Sequence, residues 1–547
     1  MRILPKIVST DSINLLNYVW KGKRMNRVVF VLAAILLLLS ISSITGFFQV
    51  VKAESAPIYI NADGSISPST APIYTADNVT YTFTGNMSYP AYNGIVVERS
   101  NIVIDGNGYM VQGSCSDSGI GLNLMDVGNV TIEGANFEWF QKGILLSNSN
   151  NNTIIGNDAT GNGVYPTGIF ALGDEYGIAL SNSSSNSIIG NYVEENGWDG
   201  ICLSGSSNNI VRGNIAEYNK FNGIEIYNSY NIISGNTATG NTVNGIYVSG
   251  SGNTVSGNTA TGQFCGIDVD SSFNGIVSGN MVAANGNGIW LLDASFGNIV
   301  SFNNVTTNSD GVVLYSNSSW NTVFGNNAIA NGCGVHLWGA SYNTLYHNNF
   351  INNTSQVVSD SSVNTWDNGY PSGGNFWSDY NGTDMYSGPY QNVTGSDGIG
   401  DTPYVIDANN TDYYPLMGMF SDFNVAQGVD VQAVSNSTVS DFQFNGTAML
   451  FNVTGENGAS GFCRISFPTD LINGTLTVFV NGTQMCYDLM SSSNSSITFV
   501  YFTYDPSTEQ VTIMPEFPSF ILLSLFLIAT LLAVIIYKKK AMPHKRL

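Results

Sequence analysis

The chain has 547 residues, enough for two or three domains, and only 10% of its residues are charged. Its formal net charge is −22, and residues 54–518 hold 38 acidic but only five basic side chains. A surface this acidic repels a phosphate backbone, which excludes nucleic acid as a partner.

The N-terminal segment has the pattern of a secretory signal. Basic side chains at positions 21–27 precede an apolar run from Val28 to Phe48, and small residues end at Ala53. Residues 1–53 are therefore predicted to be a signal peptide, with Met1 or Met25 as its start. Export makes N-x-[ST] sequons accessible to glycosylation, which predicts a glycoprotein. The sequons include Asn78, Asn86, Asn129, Asn304, Asn317, Asn381, Asn445 and Asn494.

Residues 54–90 are interpreted as an N-terminal cap, and residues 91–358 contain a repeat of 22 to 23 residues. One column of the repeat is an asparagine: Asn157, Asn191, Asn214, Asn236, Asn258, Asn280, Asn303, Asn326 and Asn348. A second column is the apolar residue of a Gly-Ile or Gly-Val pair: Ile144, Ile178, Ile201, Ile224, Ile246, Ile267, Ile289, Val312 and Val335. Looser copies near Gly94 and Gly119 predict about eleven coils. The long first step indicates an insertion between Gly161 and Glu175.

A repeat this short cannot bury an apolar face alone, so its coils must stack into a solenoid. Short β-branched runs separated by Gly and Asn predict an all-β, right-handed parallel β-helix, its hand following the general preference of parallel crossovers. Leucine-rich repeats share the length but need a leucine consensus that is absent. Turn asparagines are expected to adopt the left-handed conformation and to bond from rung to rung as an amide ladder. They include Asn209, Asn231, Asn253, Asn298, Asn321 and Asn343.

The residue between the two inward side chains of each Gly-Ile-x-Leu strand should point outward. Aromatic rings beside carboxylates and hydroxyls suit a sugar, which offers CH faces for stacking and hydroxyl groups for hydrogen bonds. This outward stripe is interpreted as a glycan-binding surface, and an ordinary exposed β face is the alternative. The predicted binding residues are Glu225, Tyr227, Tyr247, Asp268, Asp270, Trp290, Tyr315, His336 and Trp338.

Three carboxylates of the stripe are candidates for catalysis. Asp268 and Asp270 lie on one strand, about 7 Å apart by strand rise, and Glu225 lies two rungs away, roughly 9.6 Å. Both separations lie near the range for inverting glycoside hydrolysis, in which one acid protonates the leaving oxygen and one base activates water. A lyase would need a cationic base on the stripe, and Arg212 and Lys220 lie off it.

Residues 359–418 break the period and are interpreted as a Trp- and Asp-rich cap that covers the open end of the solenoid. Trp366, Phe376, Trp377 and Tyr380 suit the plug. The carboxylates of this cap could instead gather around Ca²⁺, which takes six to eight oxygen ligands from flexible loops. The candidate ligands are Asp379, Asp384, Asp397, Asp401, Asp407 and Asp412.

The repeat and the closing sequences NFWSDY at 375–380 and DGIGDTPY at 397–404 resemble NosD-like β-helix proteins of archaea, over about residues 90–418. These in turn resemble pectate lyases and polygalacturonases in fold. The NosD resemblance implies a copper-related accessory function, although His336, His347 and Cys333 are too sparse for a convincing soft-metal site. The polygalacturonase resemblance implies a polysaccharide hydrolase.

Residues 419–514 alternate apolar and polar residues and contain Asn-Gly turns, which predicts a small β-sandwich. Cys463 and Cys486 are the pair expected to form a disulfide in an exported domain. In residues 515–547, an uncharged run from Ser519 to Tyr537 ends at Lys538 and is long enough to span a bilayer. The PEFP sequence, this run and the terminal basic cluster resemble the PEF-type sorting signal of archaeal surface proteins, which implies exchange for a lipid anchor.

The sequence thus favours a membrane-anchored, extracellular β-helix protein that binds glycans or neighbouring surface proteins and is not an enzyme. A polysaccharide hydrolase and a copper-linked accessory protein are the alternatives. Ca²⁺ is the one cofactor suggested.

Overall fold

The computed structural model describes residues 52–53, 56–89, 93–114, 119–163, 174–426, 428–455, 460–472, 474–505, 508–516 and 527–537. The predicted signal peptide lies outside these ranges except for the strand Lys52–Ala53. The predicted insertion lies mostly in residues 164–173, which are also outside them.

A three-sided parallel β-helix makes up the larger part of the molecule, and each full coil adds one strand to each of three sheets. Sheet 1 contains the strands Ile58–Ile60, Ile66–Ser67, Ile95–Val97, Ile120–Met125, Lys142–Ser147, Tyr176–Ser181, Ile201–Ser204, Ile224–Tyr227, Asn244–Ser249, Cys265–Asp270, Asn287–Leu292, Asp310–Tyr315, Cys333–Trp338 and Ser355–Asp360. Sheet 2 contains Ile73–Tyr74, Thr80–Phe83, Ile102–Asp105, Val130–Glu133, Thr153–Ile155, Ser187–Ile189, Ile210–Arg212, Ile232–Ser234, Thr254–Ser256, Ile276–Ser278, Ile299–Ser301, Thr322–Phe324 and Thr344–Tyr346. Sheet 3 contains Lys52–Ala53, Met87–Ser88, Met110–Gln112, Asn136–Glu138, Asp158–Thr160, Tyr192–Glu194, Ile215–Glu217, Thr237–Thr239, Thr259–Thr261, Met281–Ala283, Asn304–Thr306, Asn327–Ile329, Asn349–Ile351 and Phe376–Trp377.

The apolar column of the repeat forms the core of the solenoid. Ile246 pairs with Ile267 on the next coil, and both side chains are fully buried. The outward residues Tyr247 and Asp268 pair in the same register. Every column of the sequence repeat thus becomes a stack of side chains along the solenoid. The three-strand coil also excludes the leucine-rich-repeat alternative, which has one strand per repeat.

Asparagines at the turns form the amide ladders that the repeat predicts. The Asn236 side-chain oxygen accepts a bond from the Asn214 backbone N–H (2.9 Å), and its amide nitrogen donates to the Val211 carbonyl (2.9 Å). The prediction that the ladder asparagines themselves adopt the left-handed conformation is wrong by one residue. That conformation belongs to the residue before each ladder asparagine, such as Asn208 (φ 57°) or Tyr230 (φ 61°). Each ladder asparagine points its amide inward from a backbone with negative φ, so the residue before it takes the positive φ of the turn.

Residues 359–418 continue the solenoid core with aromatic side chains. Trp366 and Trp377 are fully buried, and Trp377 stacks on Phe350 of the last full coil at 4.6 Å. Asp412 lies beneath them and accepts a bond from the Trp377 indole N–H (2.9 Å). Two small antiparallel pairs complete the segment: Tyr386–Ser387 with Val393–Thr394, and Tyr404–Asp407 with Asn410–Asp412.

Two five-stranded antiparallel sheets follow, with a shared apolar core between them. Sheet 4 contains Met419–Ala426, Val429–Ser435, Gly461–Pro468, Ile497–Tyr504 and Asp488–Leu489. Sheet 5 contains Thr438–Phe444, Met449–Thr454, Thr508–Pro515, Leu476–Val480 and Thr483–Met485. The disulfide expected between Cys463 and Cys486 is absent, and both thiols are free. Cys463 is buried in the core between the sheets, whereas Cys486 follows the edge strand Thr483–Met485 and is exposed.

The two-sheet unit is joined to the solenoid by hydrogen bonds as well as by the chain. Asn349 on the last full coil accepts from the Phe420 N–H (2.8 Å) and donates to the Phe420 carbonyl (2.9 Å). Arg464 of sheet 4 donates to the Pro371 carbonyl. A cavity of about 410 Å³ lies at this junction, lined by His347, Phe420 and Arg464 among others.

Of the predicted span from Ser519 to Tyr537, only a helix at 527–537 falls within the described ranges. In those ranges, no helix combines the length and the apolar character needed to cross a membrane.

Candidate functional site

The outer face of sheet 1 carries three parallel columns of side chains. The leading column is the residue before each glycine: Lys142, Tyr176, Asp199, Asn222, Asn244, Cys265, Asn287, Asp310 and Cys333. The central column is the outward residue of each strand: Leu145, Ala179, Cys202, Glu225, Tyr247, Asp268, Trp290, Val313 and His336. The trailing column lies two residues further on: Ser147, Ser181, Ser204, Tyr227, Ser249, Asp270, Leu292, Tyr315 and Trp338.

The central column is less accessible than the sequence predicts. Glu225 and Asp268 keep only 4% and 5% of their surface exposed, whereas Tyr227 and Trp338 in the trailing column keep 45% and 54%. Side chains of the two outer columns flank the central one and shield its shorter carboxylates. The two buried carboxylates are therefore poorly placed to contact a sugar directly, and the trailing column offers the accessible surface.

Aromatic rings follow the face in two groups. Tyr227 and Tyr247 form the first group, with ring centres 5.3 Å apart. Trp290, Tyr315 and Trp338 form the second, with consecutive ring centres 6.4 and 5.4 Å apart and edge-to-face geometry. We call these six rungs, from the Tyr227 strand to the Trp338 strand, the aromatic stripe. The sequence predicts these five aromatic residues as parts of one binding surface, and the structure brings them together.

Asp268 and Asp270 separate the two aromatic groups. Asp270 accepts hydrogen bonds from the Tyr247 hydroxyl (2.7 Å) and the Ser271 hydroxyl (2.9 Å). Asp268 has a buried Oδ1 without a hydrogen-bond partner. Burial, together with the negative charges of the neighbouring Asp270 and Asp293, raises the pKa of Asp268 to about 7. The Asp268 carboxyl group therefore holds a proton for much of the time at neutral pH.

His336 is at the other end of the stripe. Its Nδ1 lies 3.7 Å from Oδ1 of Asp310, and its ring lies parallel to the Trp338 ring at 6.3 Å. Its Nε2 and the Trp290 indole nitrogen are buried and have no hydrogen-bond partner. This end of the stripe thus combines aromatic surface with polar groups that are not satisfied by the protein.

A second cluster lies at the Tyr227 end of the stripe and includes a residue, Asp199, that the sequence does not predict. Asp199, Cys202 and Glu225 bring their ligand atoms within 4.8 Å of one another. Cys202 and Glu225 are neighbours in the central column, whereas Asp199 belongs to the leading column. Reading the residue before each glycine as a third column of the repeat would have found it.

The carboxylates of the predicted calcium site do not converge as a group of three in the described part of the cap. Among described residues, the cluster just named is the one group of three or more His, Cys, Asp or Glu side chains that converges. The cap carboxylates instead hold turns. Asp384 accepts from the backbone N–H groups of Asp397 and Gly398. The remaining cap carboxylates bond as follows: Asp379 with Tyr404, Asp397 with Ile399, Asp401 with Met385, Asp407 with Asn409 and Asp412 with Asn375.

Two family models match adjoining parts of the chain. Residues 73–260 match the right handed beta helix region, and residues 244–382 match NosD, described as a periplasmic copper-binding protein. Over residues 244–382 the chain is therefore similar to NosD. The solenoid is a right-handed parallel β-helix, which confirms that part of the predicted fold class and its hand. No curated protein sequence matches the chain.

Solved structures with similar folds include enzymes and phage proteins. A double mutant of the periplasmic alginate epimerase AlgG is 16% identical, over 58% of this chain and 70% of that one, with a TM-score of 0.35. The mannuronan C-5 epimerase AlgE4 A-module of Azotobacter vinelandii is 13% identical, over 51% and 91%, with a TM-score of 0.30. The receptor-binding tailspike protein of bacteriophage Det7 is 10% identical, over 83% and 94%, with a TM-score of 0.37. These similarities concern the fold alone.

The NosD match raises the question of copper, but among the described residues of the matched segment no three His, Cys, Asp or Glu side chains converge. The Cys333 thiol bonds to the Val335 carbonyl (3.1 Å). The His347 ring lies 3.1 Å from the Ser372 carbonyl, and burial lowers its pKa to about 4. In the described chain, the only convergent metal-ligating group lies at residues 199–225, before the segment matched by NosD.

Proposed function

We propose that this chain binds a neutral polysaccharide lengthwise along the aromatic stripe of sheet 1. The observation that supports this function is the spacing of the rings. Aromatic side chains occupy successive rungs on both sides of a short acidic gap, and the rungs of a parallel sheet repeat at about 4.8 Å. A linear glycan presents one CH face after another along its length, so a row of rings can stack against several sugars at once.

Polar groups of the same face can bind the sugar hydroxyls. Asp270 and Ser249 are half-buried in the trailing column, and the exposed Asp293 follows that column. The Tyr247 hydroxyl is already directed along the face by its bond to Asp270. Carboxylates and hydroxyls of this kind accept hydrogen bonds from sugar hydroxyls in a fixed orientation, which adds specificity to stacking.

Charge decides between neutral and acidic glycans. The face bears the acidic residues Glu225, Asp268, Asp270 and Asp310. Its described lysine, Lys142, lies several coils before the stripe. That lysine pairs with Asp174 at 3.9 Å. A polyuronate would bring further carboxylates to this surface without a cationic partner, and like charges placed together oppose binding. We therefore expect neutral polysaccharides to bind and polyuronates to bind weakly or not at all.

The test is binding of the purified chain to panels of neutral and acidic polysaccharides. Trp338→Ala and Tyr227→Ala should each weaken binding at least about fivefold, because truncating an aromatic side chain that carries binding energy costs more than about 1 kcal/mol. Trp320→Ala is the matched control. Trp320 is 68% exposed and stacks on Tyr342 in the turn after sheet 1, away from the stripe. Equal loss in all three variants, or binding that prefers polyuronates, would contradict the proposal.

A polysaccharide hydrolase is the second candidate, favoured by one observation. Asp268 has a pKa of about 7 and lies beside Asp270, so the pair offers a proton donor next to a hydrogen-bonded carboxylate. Release of reducing ends from a bound polysaccharide, abolished in Asp268→Asn, would support hydrolysis. Binding that survives Asp268→Asn, with no reducing ends from either protein, would leave binding as the function.

We also propose that the protein is exported and anchored on the extracellular side of the membrane of an archaeal cell. The apolar run at 28–48, the PEFP sequence at 515–518 and the apolar run that follows it support export and anchoring. Mass spectrometry of the mature protein from its native membrane distinguishes the outcomes. Loss of residues 1–53, together with a lipid in place of the C-terminal residues, would support sorting, whereas an intact C-terminus would support a single-span anchor.

A further inference from the structure

The cluster of Asp199, Cys202 and Glu225 is too polar and too buried to be an ordinary part of a β face. Asp199 is fully buried, and Cys202 and Glu225 keep 5% and 4% of their surface exposed. None of the three takes part in an ion pair among the described residues. Buried acidic groups without a cation must either hold protons or bind a positive ion, because burying uncompensated negative charge is strongly unfavourable.

Asn222 orients both carboxylates of the cluster. Its backbone N–H donates to Asp199 Oδ1 (2.8 Å), and its side-chain amide donates to Glu225 Oε1 (3.2 Å). Asp199 Oδ2 has no hydrogen-bond partner, and Glu225 Oε2 accepts a hydrogen bond from the Cys202 thiol (3.6 Å). Asn222 thus fixes one oxygen of each carboxylate and leaves Asp199 Oδ2 for a ligand, while an oxygen of each acid and the Cys202 sulfur lie within 4.8 Å of one another. Such outer hydrogen bonds are what orient the ligands of protein metal sites.

The distance between the Cys202 sulfur and Glu225 Oε2 suits two ligands of one tetrahedral metal ion. Zinc lies about 2.3 Å from a cysteine sulfur and about 2.0–2.2 Å from a carboxylate oxygen, so two such ligands in tetrahedral geometry lie roughly 3.5 Å apart. The Cys202 to Glu225 distance of 3.6 Å agrees with this value. Calcium and magnesium do not suit the group, because they take sets of oxygen ligands, and a single sulfur is too few for Cu(I).

We propose that Asp199, Cys202 and Glu225 form a three-ligand site for a divalent cation of borderline softness, with Zn²⁺ as the expected ion. The three ligands come from the leading and central columns of the outer face of sheet 1. Binding converts the Cys202 thiol to a thiolate and releases its proton to solvent, together with any proton held between the carboxyl groups. The site lies at the Tyr227 end of the stripe and is independent of glycan stacking on Trp290 and Trp338.

The experiment uses the full chain after treatment with a chelator, in a Cys486→Ser background that removes an exposed thiol. Titration with Zn²⁺ should give one bound equivalent and a higher melting temperature. Titration with Co²⁺ should give the ultraviolet absorption of a thiolate–cobalt bond. Cys202→Ser and Asp199→Asn should lose the bound equivalent, the stabilisation by metal and the absorption band. Asn222→Ala should weaken binding about 10- to 100-fold, as loss of an outer hydrogen bond does at other metal sites.

Cys265→Ser is the matched control, because Cys265 is also a fully buried cysteine of sheet 1 but lies outside the cluster. It should keep the bound equivalent and the absorption band. Failure of the wild-type chain to bind Zn²⁺, or an unchanged band in Cys202→Ser, would overturn the metal site. Glycan binding measured with Trp338→Ala is a separate readout, so either proposal can fail without the other.

Discussion

Each ladder asparagine performs three tasks with one small side chain. In Asn236 the amide oxygen accepts from the backbone and the side chain of Asn214, while the amide nitrogen donates to the Val211 carbonyl. The buried turns of a solenoid have no neighbouring strand to satisfy their backbone groups, so the side chain takes that role. This explains why one residue type recurs at the same position of nearly every coil.

Replacing a single ladder residue should therefore be costly. Asn236→Ala leaves a buried N–H and a buried carbonyl without partners, and each such group destabilises by about 1–3 kcal/mol. We expect a loss of roughly 2–4 kcal/mol in the free energy of unfolding, measured by urea denaturation. Thr237→Ala, on the outer side of the same coil, should change it by less than about 0.5 kcal/mol. Equal effects of the two substitutions would mean that the ladder does not stabilise the fold.

Asp268 should make stability depend on pH in a definite direction. Its pKa is about 7 in the folded chain and about 3.9 in an unfolded one, so the folded state binds more protons between these values. Stability must then fall as pH rises from about 4 to about 7, by up to about 4 kcal/mol.

Asp268→Asn removes this contribution and isolates it from other buried acids. Asp384 and Asp412, whose pKa values burial also raises to about 7, act in the same direction but are present in both proteins. We expect the urea midpoints of the two proteins to be similar near pH 4, and the variant to be the more stable near pH 8. Parallel curves over this range would show that Asp268 is not protonated in the folded state.

Residue columns could be predicted from the sequence because stacking repeats each position at a fixed interval. The sequence therefore identifies Tyr227, Tyr247, Trp290 and Trp338 as one surface. It does not predict that Glu225 and Asp268 are buried, since strand alternation gives the direction of a side chain but not what covers it. Asp199 was missed for a related reason. Its column lies outside the Gly-Ile-x-Leu strand, and only the coil geometry brings it over Cys202.

At the scale of elements, the junction between the solenoid and the two-sheet unit depends on few polar contacts. Arg464 is buried, donates to the Pro371 carbonyl and lies over the Phe499 ring at 5.3 Å. Burial lowers the Arg464 pKa, and the nearby Asp397 opposes that shift. No feature of the sequence marks Arg464 as a junction residue, because the carbonyl groups to which it donates, those of Pro371 and Ser372, are more than ninety positions away.

Arg464→Met should loosen this junction. The Pro371 carbonyl loses a charged donor, and a bond of that kind contributes roughly 1.5–3 kcal/mol. We expect the two-sheet unit to unfold at a lower temperature than the solenoid, as a separate transition in calorimetry, and the 359–418 segment to be cleaved faster by protease. Lys220→Met, an exposed basic residue of the solenoid, is the control. A single unchanged transition in both variants would show that the apolar contacts alone hold the junction.

For the whole molecule, the length of the stripe sets the size of the ligand that can use it fully. Five rung spacings separate the strands that carry Tyr227 and Trp338, which corresponds to roughly 24 Å at about 4.8 Å per rung. Short oligosaccharides can reach only one of the two aromatic groups, whereas longer ones can stack on both sides of Asp268 and Asp270. Affinity should therefore rise with the number of sugars and then level off once the chain spans the stripe.

Calorimetric titration with a series of neutral oligosaccharides of increasing length measures this dependence directly. In wild-type protein the gain per added sugar should stop at the length that spans both aromatic groups. In Trp338→Ala it should stop earlier, because that variant lacks the terminal ring, whereas Trp320→Ala should follow the wild type. Binding depends on stacking rather than on ion pairs, so raising the salt concentration should change the affinity little. An affinity independent of length would place the sugar at a single point and would contradict lengthwise binding.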